Sequence, residues 1–548
     1  MRMKTLLLLI LLSFGCGYLL SQSLTPEQTK AINKAFMADI PDGGPGGAIG
    51  IIRNGNVVYT QYAGLADLDT KRAIDGQTRF NIASNAKQFT AIATLKLARE
   101  GKLNLKDDIR EYFPELYPDI KEAITVANLL NHTSGIRDVY NLWSFQGITW
   151  WKKTLTNDDA LELIRNQREL NFTPGTQHLY SNTNYILLTY LVAKVSGKSF
   201  REYTDGLFKS LGMTNTNFVS DHNDMGPNVG RPYFNFDTWS TYKWRTDLHG
   251  DGSLFSTLED QLAWEVVVQK GETACLEAPL LSQSQLPVNT DADYGFGLER
   301  GAYRGVPVRW HDGSTGAWDA SFIRFPEQHL TVVASDNSGK FGTSMLVRTI
   351  ADIVLKDVFT EDAFLTEPKT VRAEIPVEKL LGTYLADNGY AFIFKLVDGK
   401  LMLERDGRSD NELELEEGNI YRQKFDPAFK QEFTWDEEKG MQVTAYYWAH
   451  APYSLTRSNV DWKGYDFAGL KGEFYNDELD VSFDVSYAEG QQYQIKSGKE
   501  NIKGEMYKRD QILAGGGNNI KVVRDASGQV TTLLVSDERT KNLRFVRK

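Results

Sequence analysis

The chain has 548 residues, which is too long for one hydrophobic core, so we expect about two to four domains. Apolar residues make up 41% of it and charged residues 24%, the usual balance of a globular protein. The formal net charge of −11 and the absence of a basic run argue against a nucleic acid as partner.

Residues 1–23 have the three-part layout of a secretory signal peptide: a basic start, an apolar run, and then small and polar residues. The run is short for a membrane span, so we expect cleavage near residues 21–23 and no membrane span. The sequence therefore predicts an exported protein, periplasmic or secreted. A lipid anchor at Cys16 is the alternative, which the residues before it disfavour because the usual branched aliphatic is missing.

The only other cysteine is Cys275, so removal of the signal peptide would leave no internal disulfide. No Cys/His cluster has the spacing of metal ligands, and we expect neither a metal site nor a cofactor.

Residues 24–365 mix strand and helix signals. Asn54-Gly55 between two apolar runs predicts a hairpin with a primed turn. Helical patterns and later strand patterns follow at residues 85–100, 158–167, 184–195, 306–310, 320–325 and 330–334. Strands first and last with helices between them predict one sheet built from both ends of the segment, with helices packed on it.

The composition changes after residue 365. Residues 366–375 are typical of a linker, and residues 376–460 and 465–548 alternate short strands with Gly-containing turns. Such spacing predicts small all-β barrels or sandwiches.

This tail also repeats itself. The residues on either side of Gly382 are similar to those on either side of Gly472, and the two glycines lie 90 positions apart in the sequence. The same holds for Arg457 and Arg547. Two independent pairs at one offset predict duplicated domains, although chance similarity between strand-rich sequences is the alternative.

Ser84 and Lys87 stand one helical turn apart at the start of the first long helical pattern. A serine alcohol needs a nearby base to become a nucleophile, and a lysine can be that base if burial lowers its pKa. Alone, this pair also fits a helix cap beside a solvated lysine.

Tyr180-Ser181-Asn182 precedes another helical pattern. A tyrosine hydroxyl at Tyr180 can relay a proton, and Asn182 can bind a substrate carbonyl or hold Lys87. Capping and packing are the structural alternative for both side chains.

Residues His311, Asp312, Gly313 and Ser314 form a third group, placed where one predicted strand ends and the next begins. Gly313 would let a substrate lie against the strand edge, and the Ser314 N–H could complete an oxyanion hole with that of Ser84. A Gly-rich hairpin with a surface histidine is the alternative.

Together, Ser84-x-x-Lys87, Tyr180-x-Asn182 and His311-x-Gly313 occur in the order and with the gaps of three known motifs. They resemble those of the serine β-lactamase and penicillin-binding protein superfamily, in its class C-like branch. The segment around His132-Thr133-Ser134-Gly135 resembles a connecting segment of that branch, in which the histidine would tie down a loop.

The resemblance implies an α+β fold in which helices sandwich an antiparallel sheet beside a helical subdomain, with the cleft between them. It also implies acyl-enzyme chemistry with Ser84 as nucleophile, Lys87 and Tyr180 as its bases, and Asn182 and residues 311–314 as the substrate-binding set. Two lipocalin-like barrels after such a domain resemble D-aminopeptidase-type serine hydrolases.

One departure bears on the substrate. Asp312 stands where related enzymes carry a hydroxyl residue that helps to hold a substrate carboxylate, and it would repel a carboxylate if it points inward. A substrate with an amine, an amide or a neutral ester therefore fits better. The resemblance to D-aminopeptidase-type enzymes implies a small D-amino-acid-containing peptide, amide or ester as the favoured substrate. A β-lactamase or D-alanyl-D-alanine carboxypeptidase, and a catalytically idle binding protein of the cell envelope, are the alternatives.

Four aromatic residues after the His132 segment are candidates for the cleft wall or for the core of the subdomain: Trp143, Phe145, Trp150 and Trp151.

Overall fold

The computed structural model describes residues 23–149, 151–286, 293–339, 342–361, 373–386, 391–405, 409–448, 450–498, 500–515 and 518–548. Within these ranges, no helix combines the length and the apolar character needed to cross a membrane. The apolar run of the predicted signal peptide, Cys16, Trp150 and most of the predicted linker lie outside them.

The N-terminal part of the chain contains the helices and the largest sheet. Its strands are β1 (Gly47–Arg53), β2 (Asn56–Ala63), β3 (Leu65–Asp67), β4 (Arg72–Ala73), β5 (Phe80–Asn81), β6 (Asn217–Phe218), β7 (Tyr233–Phe236), β8 (Thr238–Thr241), β9 (Leu254–Ser256), β10 (Tyr294–Gly295), β11 (Leu298–Tyr303), β12 (Val306–Thr315), β13 (Trp318–Phe325) and β14 (Leu330–Asp336). Its helices are α1 (Pro26–Met37), α2 (Lys87–Arg99), α3 (Val126–Leu130), α4 (Val139–Phe145), α5 (Asn157–Arg165), α6 (Asn182–Ser196), α7 (Phe200–Ser210), α8 (Leu258–Lys270), α9 (Ala278–Ser284) and α10 (Thr343–Leu355).

The largest sheet has the strand order β10-β11-β12-β13-β14-β1-β2, and its neighbouring strands are antiparallel. The prediction of a sheet built from both ends of the segment is therefore confirmed. Asn54 and Gly55, with φ of 51° and 71°, make the predicted primed turn between β1 and β2.

Alternate residues of β1 point into two different cores. Ile49 and Ile51 pack with α1 and α10 on one face, whereas Ala48 and Ile52 pack with α8 on the other. Because a strand presents successive side chains to opposite faces, both faces of the sheet are covered by helices. The predicted sandwich of helices around an antiparallel sheet is confirmed.

The C-terminal part forms two closed eight-stranded barrels. The first, barrel 1, contains β15 (Gly382–Leu385), β16 (Ala391–Val397), β17 (Lys400–Arg405), β18 (Asn411–Glu417), β19 (Ile420–Gln423), β20 (Lys430–Asp436), β21 (Gly440–Tyr447) and β22 (His450–Arg457). The second, barrel 2, contains β23 (Gly472–Asn476), β24 (Val481–Tyr487), β25 (Gln492–Ser497), β26 (Glu500–Lys508), β27 (Gln511–Ala514), β28 (Asn518–Arg524), β29 (Val530–Ser536) and β30 (Leu543–Arg547).

The repeated glycine and arginine meet where each barrel closes. The last strand pairs with the first, and a Cβ added to Gly382 would lie 3.0 Å from Arg457, while one added to Gly472 would lie 2.7 Å from Arg547. Both glycines also have positive φ, so the position favours glycine twice over. The repeat thus marks the closing contact of two similar barrels.

Each barrel docks on a different surface of the N-terminal part. In barrel 1, Asp426 forms a buried ion pair with Arg348 of α10. In barrel 2, Glu478 forms an ion pair of 2.7 Å with Arg137, whose side chain is 1% exposed. Barrel 2 also shares one apolar core cluster with the helical region.

Candidate active site

Ser84 lies in a short 3-10 turn, Ala83–Ala86, that connects β5 to helix α2. The predicted helix therefore begins at Lys87 and not at residue 85. Ala83 has a φ of 46°, and its N–H donates to Asn81 Oδ1 at 3.0 Å. A left-handed residue directly before a candidate nucleophile fits an active-site turn held by its surroundings.

Lys87 is fully buried, and its amine has three oxygen neighbours. Its Nζ lies 3.0 Å from Ser84 Oγ, 2.9 Å from Asn182 Oδ1 and 2.6 Å from the Asp251 carbonyl oxygen. The last two oxygens can only accept hydrogen bonds. A neutral amine, with two N–H groups, would donate to these two and direct its lone pair at the Ser84 hydroxyl, as a base must.

Burial lowers the pKa of Lys87 to about 7. Asp251 and Asp138 oppose this shift of the pKa, whereas the positive charge of Arg539 contributes to it. A lysine with this pKa exchanges its proton near neutral pH, which is the range in which a general base is most effective.

Tyr180 borders the same pocket. It lines the cleft together with Ser84, and the Lys87 Nζ lies 4.8 Å from the centroid of its ring. Burial raises the pKa of Tyr180, so the phenol is neutral and can pass a proton on. His132 fixes this segment, because its Nδ1 accepts from the Ser181 N–H at 3.2 Å.

Asp138, which we did not predict as a site residue, holds Asn182 in place. Its Oδ2 accepts from the Asn182 N–H at 2.7 Å and from Asn182 Nδ2 at 2.9 Å, and the side chain of Asp138 is inaccessible to solvent. The only local signal for Asp138 is its position before α4, where it caps the helix through the Tyr140 N–H.

Asp251 was also missed. Its carbonyl oxygen receives the Lys87 amine, and its Oδ2 accepts from the Tyr140 hydroxyl at 3.0 Å. Burial raises the pKa of the Asp251 carboxyl, and the charge of Lys87 acts against this. The sequence Gly250-Asp251-Gly252-Ser253 resembles another segment of the class C-like branch, which is a signal for this region but assigns Asp251 no role.

The third predicted group lies within β12, so the hairpin turn comes after it and not at it. A Cβ on Gly313 would approach the Ile82 carbonyl oxygen to 2.5 Å and the Ser84 nitrogen to 2.9 Å. Glycine is therefore required for β12 to pass beside the nucleophile turn.

His311 is buried beside Gly313 and contacts the Tyr294 hydroxyl through Nε2 at 3.0 Å and the Asp312 carbonyl oxygen through Nδ1 at 2.8 Å. Burial, with the charge of Lys87, lowers the pKa of His311 to about 3. The imidazole is neutral, so this position supplies no positive charge to a substrate carboxylate.

Asp312 contacts α10 on the other side of the sheet from the nucleophile turn. Its Oδ2 accepts from the Ser344 hydroxyl at 2.9 Å, while Gly313, one residue along, faces Ser84. The carboxylate therefore has a partner on the α10 side, but Asp312 also lines the cleft described below, and the predicted repulsion of a substrate carboxylate stays a prediction.

A cleft of about 910 Å³ opens around these residues. Its lining contains all the predicted site residues except Lys87 and Gly313: Ser84, Tyr180, Asn182, His311, Asp312 and Ser314. Lys87 is fully buried next to the cleft and is hydrogen-bonded to Ser84, which lines it. The lining also includes Glu299 and, from barrel 2, Glu538, Arg539 and Lys541.

Of the four aromatic candidates after the His132 segment, the three that the structure describes do not line this cleft. Trp143 and Phe145 are 4% and 7% exposed and belong to the core of the helical region, and Trp151 is 56% exposed at the surface. The core alternative is correct for the first two.

Asp221, His222 and Asp247 form a group with metal-ligating atoms within 4.8 Å of one another. His222 Nδ1 lies 2.8 Å from Asp247 Oδ1, so this pair is already satisfied by a hydrogen bond. None of the three lines the cleft.

Comparison with known proteins gives a family and a fold. Residues 33–354 match the family model described as Beta-lactamase. Protein flp of Staphylococcus aureus (strain N315) is 36% identical over 237 residues, which are 40% of this chain and 47% of that protein. The D-aminopeptidase of Cereibacter sphaeroides is 28% identical over 302 residues, which are 54% and 57% of the two chains. This chain thus spans about half the length of the curated relatives it matches.

Two solved structures share the fold. The octameric penicillin-binding protein homologue from Pyrococcus abyssi aligns over 79% of this chain and 99% of its own, with a TM-score of 0.57 and 22% identity. The D-amino acid amidase from Ochrobactrum anthropi SV3 aligns over 60% and 99%, with a TM-score of 0.50 and 21% identity.

Proposed function

This chain belongs to the beta-lactamase family, and from that premise we propose that it is a serine hydrolase that cleaves D-amino-acid-containing peptides or amides through an acyl-enzyme. The observation that carries the proposal is the buried Lys87 amine, 3.0 Å from Ser84 Oγ and held by two oxygens that can only accept. That arrangement leaves the lone pair of a neutral amine for the serine proton.

In the proposed acylation step, Lys87 takes the proton of Ser84 while Oγ attacks the substrate carbonyl. The oxyanion forms beside β12, where we propose that the N–H groups of Ser84 and Ser314 stabilise it. Tyr180 lines the cleft with Ser84, and the Lys87 amine lies beside its ring, so we propose that it passes the proton from Lys87 to the leaving amine. The C–N bond then breaks, and the acyl group remains on Ser84 as an ester.

In the proposed deacylation step, water attacks this ester, and the Lys87–Tyr180 pair takes the proton of the water. Collapse of the second oxyanion returns the proton to Ser84 and releases the acid. Asn182, held by Asp138, keeps Lys87 in place through both steps.

The charge of the cleft supports a substrate with a free amine. His311 is neutral, and Glu299 in the same lining has its pKa raised to about 8 by removal from water, with contributions from Asp312 and Asp293. A substrate ammonium beside Glu299 would favour its ionised form and pair with it. The matches to a D-aminopeptidase and, in fold, to a D-amino acid amidase agree with this substrate class.

A panel of p-nitroanilides and p-nitrophenyl esters with D- and L-aminoacyl groups tests the proposal. We expect turnover of D-aminoacyl substrates and loss of it in Ser84→Ala. N-acetylated substrates, which lack the ammonium, should react more slowly than the free amines. No turnover of any substrate, together with no covalent adduct of a fluorophosphonate probe on Ser84, would favour the idle binding protein.

A second candidate is a D-alanyl-D-alanine carboxypeptidase or β-lactamase, which one observation favours. The Arg539 side chain lines the cleft and offers a positive charge to a substrate carboxylate. Release of D-alanine from a D-alanyl-D-alanine peptide, or hydrolysis of nitrocefin, faster than any D-aminoacyl amide would establish this candidate instead.

We further propose that the protein is exported and acts in the periplasm or outside the cell, because residues 1–23 have the layout of a signal peptide. N-terminal sequencing of the protein from its native cells should then begin near residues 21–24. A mature chain that begins at a lipid-modified Cys16 would establish the anchored form.

A further inference from the structure

The loop of barrel 2 that connects β29 to β30 enters the cleft of the candidate active site. Asp537 binds its own loop by accepting from the N–H groups of Arg539 and Thr540 at 2.9 and 2.7 Å. Its second oxygen accepts from Asn141 Nδ2 at 2.6 Å, which ties the loop to helix α4. The base of the loop is therefore fixed to the helical region.

The backbone on either side of Arg539 is held as well. Asn171 donates from Nδ2 to the Arg539 carbonyl oxygen at 3.0 Å and accepts from the Lys541 N–H at 2.7 Å. Arg539 is thus presented to the cleft by a loop with contacts to two different parts of the catalytic domain, which is the way a designed site residue is held.

The Arg539 side chain reaches two groups of the candidate active site. Its Cζ lies 4.8 Å from the centroid of the Tyr180 ring, and its Nη1 lies 3.8 Å from Asp138 Oδ2. Asp138 holds Asn182, and Asn182 holds Lys87. A contact chain therefore connects a cation of barrel 2 to the base of the catalytic domain.

We propose that Arg539 is a positioning residue which barrel 2 supplies to the active site, where its charge balances buried Asp138 and keeps Lys87 free of its proton. This inference rests on the proposed function, in which neutral Lys87 is the base for Ser84. It gives barrel 2 a part in the chemistry and not only in the shape of the cleft.

The balance of charges around Lys87 explains why a cation is needed. Asp251 and Asp138 both favour the ammonium form, and Arg539 is the cation that acts against them. Like charges near one another disfavour the second charge, so a guanidinium at this place favours the neutral amine. The same charge also favours ionisation of Tyr180.

The other titratable groups that face Lys87 carry no charge near neutral pH. Burial lowers the pKa of His132 well below its usual value and that of His311 to about 3, so both imidazoles are neutral. Burial raises the pKa of Tyr140 and Tyr185, so both phenols are neutral. Neither pair can replace the charge of Arg539.

Barrel 2 also contacts the catalytic domain through residues other than Arg539. The interface also contains the Arg137–Glu478 ion pair at 2.7 Å and the Arg168–Asp477 ion pair at 3.0 Å. Gln146 Nε2 adds a hydrogen bond of 2.9 Å to the Leu479 carbonyl oxygen. A variant of Arg539 should therefore keep the barrel in place.

The test follows the rate at which a fluorophosphonate probe phosphonylates Ser84, with loss of fluoride, between pH 5.5 and 9.5, measured by mass spectrometry on the full-length protein. In Arg539→Gln we expect the acid limb of this rate to move to higher pH by about one unit. The rate at pH 6 then falls about tenfold, while the rate at pH 9 stays near that of the wild type. Arg539→Lys keeps the positive charge, so its acid limb should lie close to that of the wild type.

Arg168→Gln is the matched control, since it removes an interface arginine outside the cleft and should leave the profile in place. Arg539→Met keeps the aliphatic stem beside Tyr180 and repeats the test if the glutamine variant does not fold. An equal loss at every pH, or an unmoved acid limb, would overturn the inference. Absence of a Ser84 adduct in the wild type would instead overturn the proposed function on which it rests.

Discussion

The amine of Lys87 and the hydroxyl of Ser84 lie 3.0 Å apart in a place where the lysine is inaccessible to solvent. One helical turn brings the two side chains to the same side, and the loop that carries Asp251 covers them. A lysine in water would be almost fully protonated at pH 7, so the enclosure is what turns this pair into a candidate nucleophile and base.

Replacement of Lys87 by methionine should abolish most of the proposed hydrolase activity. We expect kcat/KM for a D-aminoacyl p-nitroanilide to fall by roughly 10²- to 10⁴-fold, the usual contribution of a general base. The double variant with Ser84→Ala should be no slower than Ser84→Ala alone, because residues that act as a unit are not additive. Lys96→Met, on the same helix but partly exposed, is the control and should keep full activity.

The pKa of Lys87 sets the expected pH dependence. Because the neutral amine is the base, kcat/KM should rise with pH and level off above about pH 7. Below that pH, a plot of log(kcat/KM) against pH should have a slope of one. Initial rates between pH 5 and 9 measure this limb. A limb centred below about pH 5 would point to a carboxylate as the base, since unperturbed carboxyl groups titrate there.

Gly313→Ala should damage the site from the strand side. The new Cβ would meet the Ile82 carbonyl oxygen at 2.5 Å and the Ser84 nitrogen at 2.9 Å, so β12 and the nucleophile turn must separate. We expect a loss of stability of roughly 1 to 3 kcal/mol, as for other overpacked sites, with a loss of turnover of at least tenfold. Thermal unfolding and kcat/KM measure the two effects.

Gly206→Ala is the control for this change. Gly206 lies in helix α7 with nothing within 4 Å of its added Cβ, so alanine should stabilise the helix by up to about 1 kcal/mol. Unchanged turnover in Gly313→Ala would show that the close approach of β12 is not needed for the reaction.

The buried ion pair of Arg324 and Glu265 should be important for stability. Arg324 Nη2 lies 2.5 Å from Glu265 Oε1, and the side chains are 4% and 3% exposed. Glu265→Gln leaves the guanidinium buried beside a neutral partner, which costs roughly 3 to 5 kcal/mol when such pairs are broken. Glu202→Gln, at an exposed pair with Lys198, should change thermal unfolding little.

Much of the fold could be predicted because its signals are local. Asn54-Gly55 predicts its turn because both residues tolerate positive φ. Gly382 and Gly472 predict two similar barrels because each glycine faces the closing arginine of its own barrel. The lysine one turn after Ser84 needs only the geometry of the first helical turn.

The rest of the candidate site depends on contacts between distant parts of the chain. Asp138 acts on Asn182, 44 positions later, and Asp251 on Lys87, 164 positions earlier. Arg539 reaches the cleft only because barrel 2 docks through pairs such as Arg137 and Glu478. No periodicity or short motif carries information on such docking. The direction of the Asp312 side chain likewise depends on how β12 lies beside α10, which the sequence does not show.

The charge of Asp138 leads to a prediction of opposite sign to that for Arg539. Asp138 raises the pKa of Lys87, so its removal in Asp138→Asn should lower that pKa and move the acid limb of kcat/KM to lower pH.

The maximal rate of Asp138→Asn should also fall, because one carboxylate oxygen accepts both hydrogen bonds from Asn182 and the other accepts from the Tyr140 N–H. An amide that keeps its oxygen toward Asn182 turns its NH2 group toward the Tyr140 N–H, which is also a donor. Profiles of kcat/KM against pH for Asp138→Asn, Arg539→Gln and the double variant separate the two effects. If both act through charge on Lys87, the double variant should have a limb between those of the single variants. A limb of Asp138→Asn at higher pH than that of the wild type would contradict the sign and show that Asp138 acts on the site through position alone.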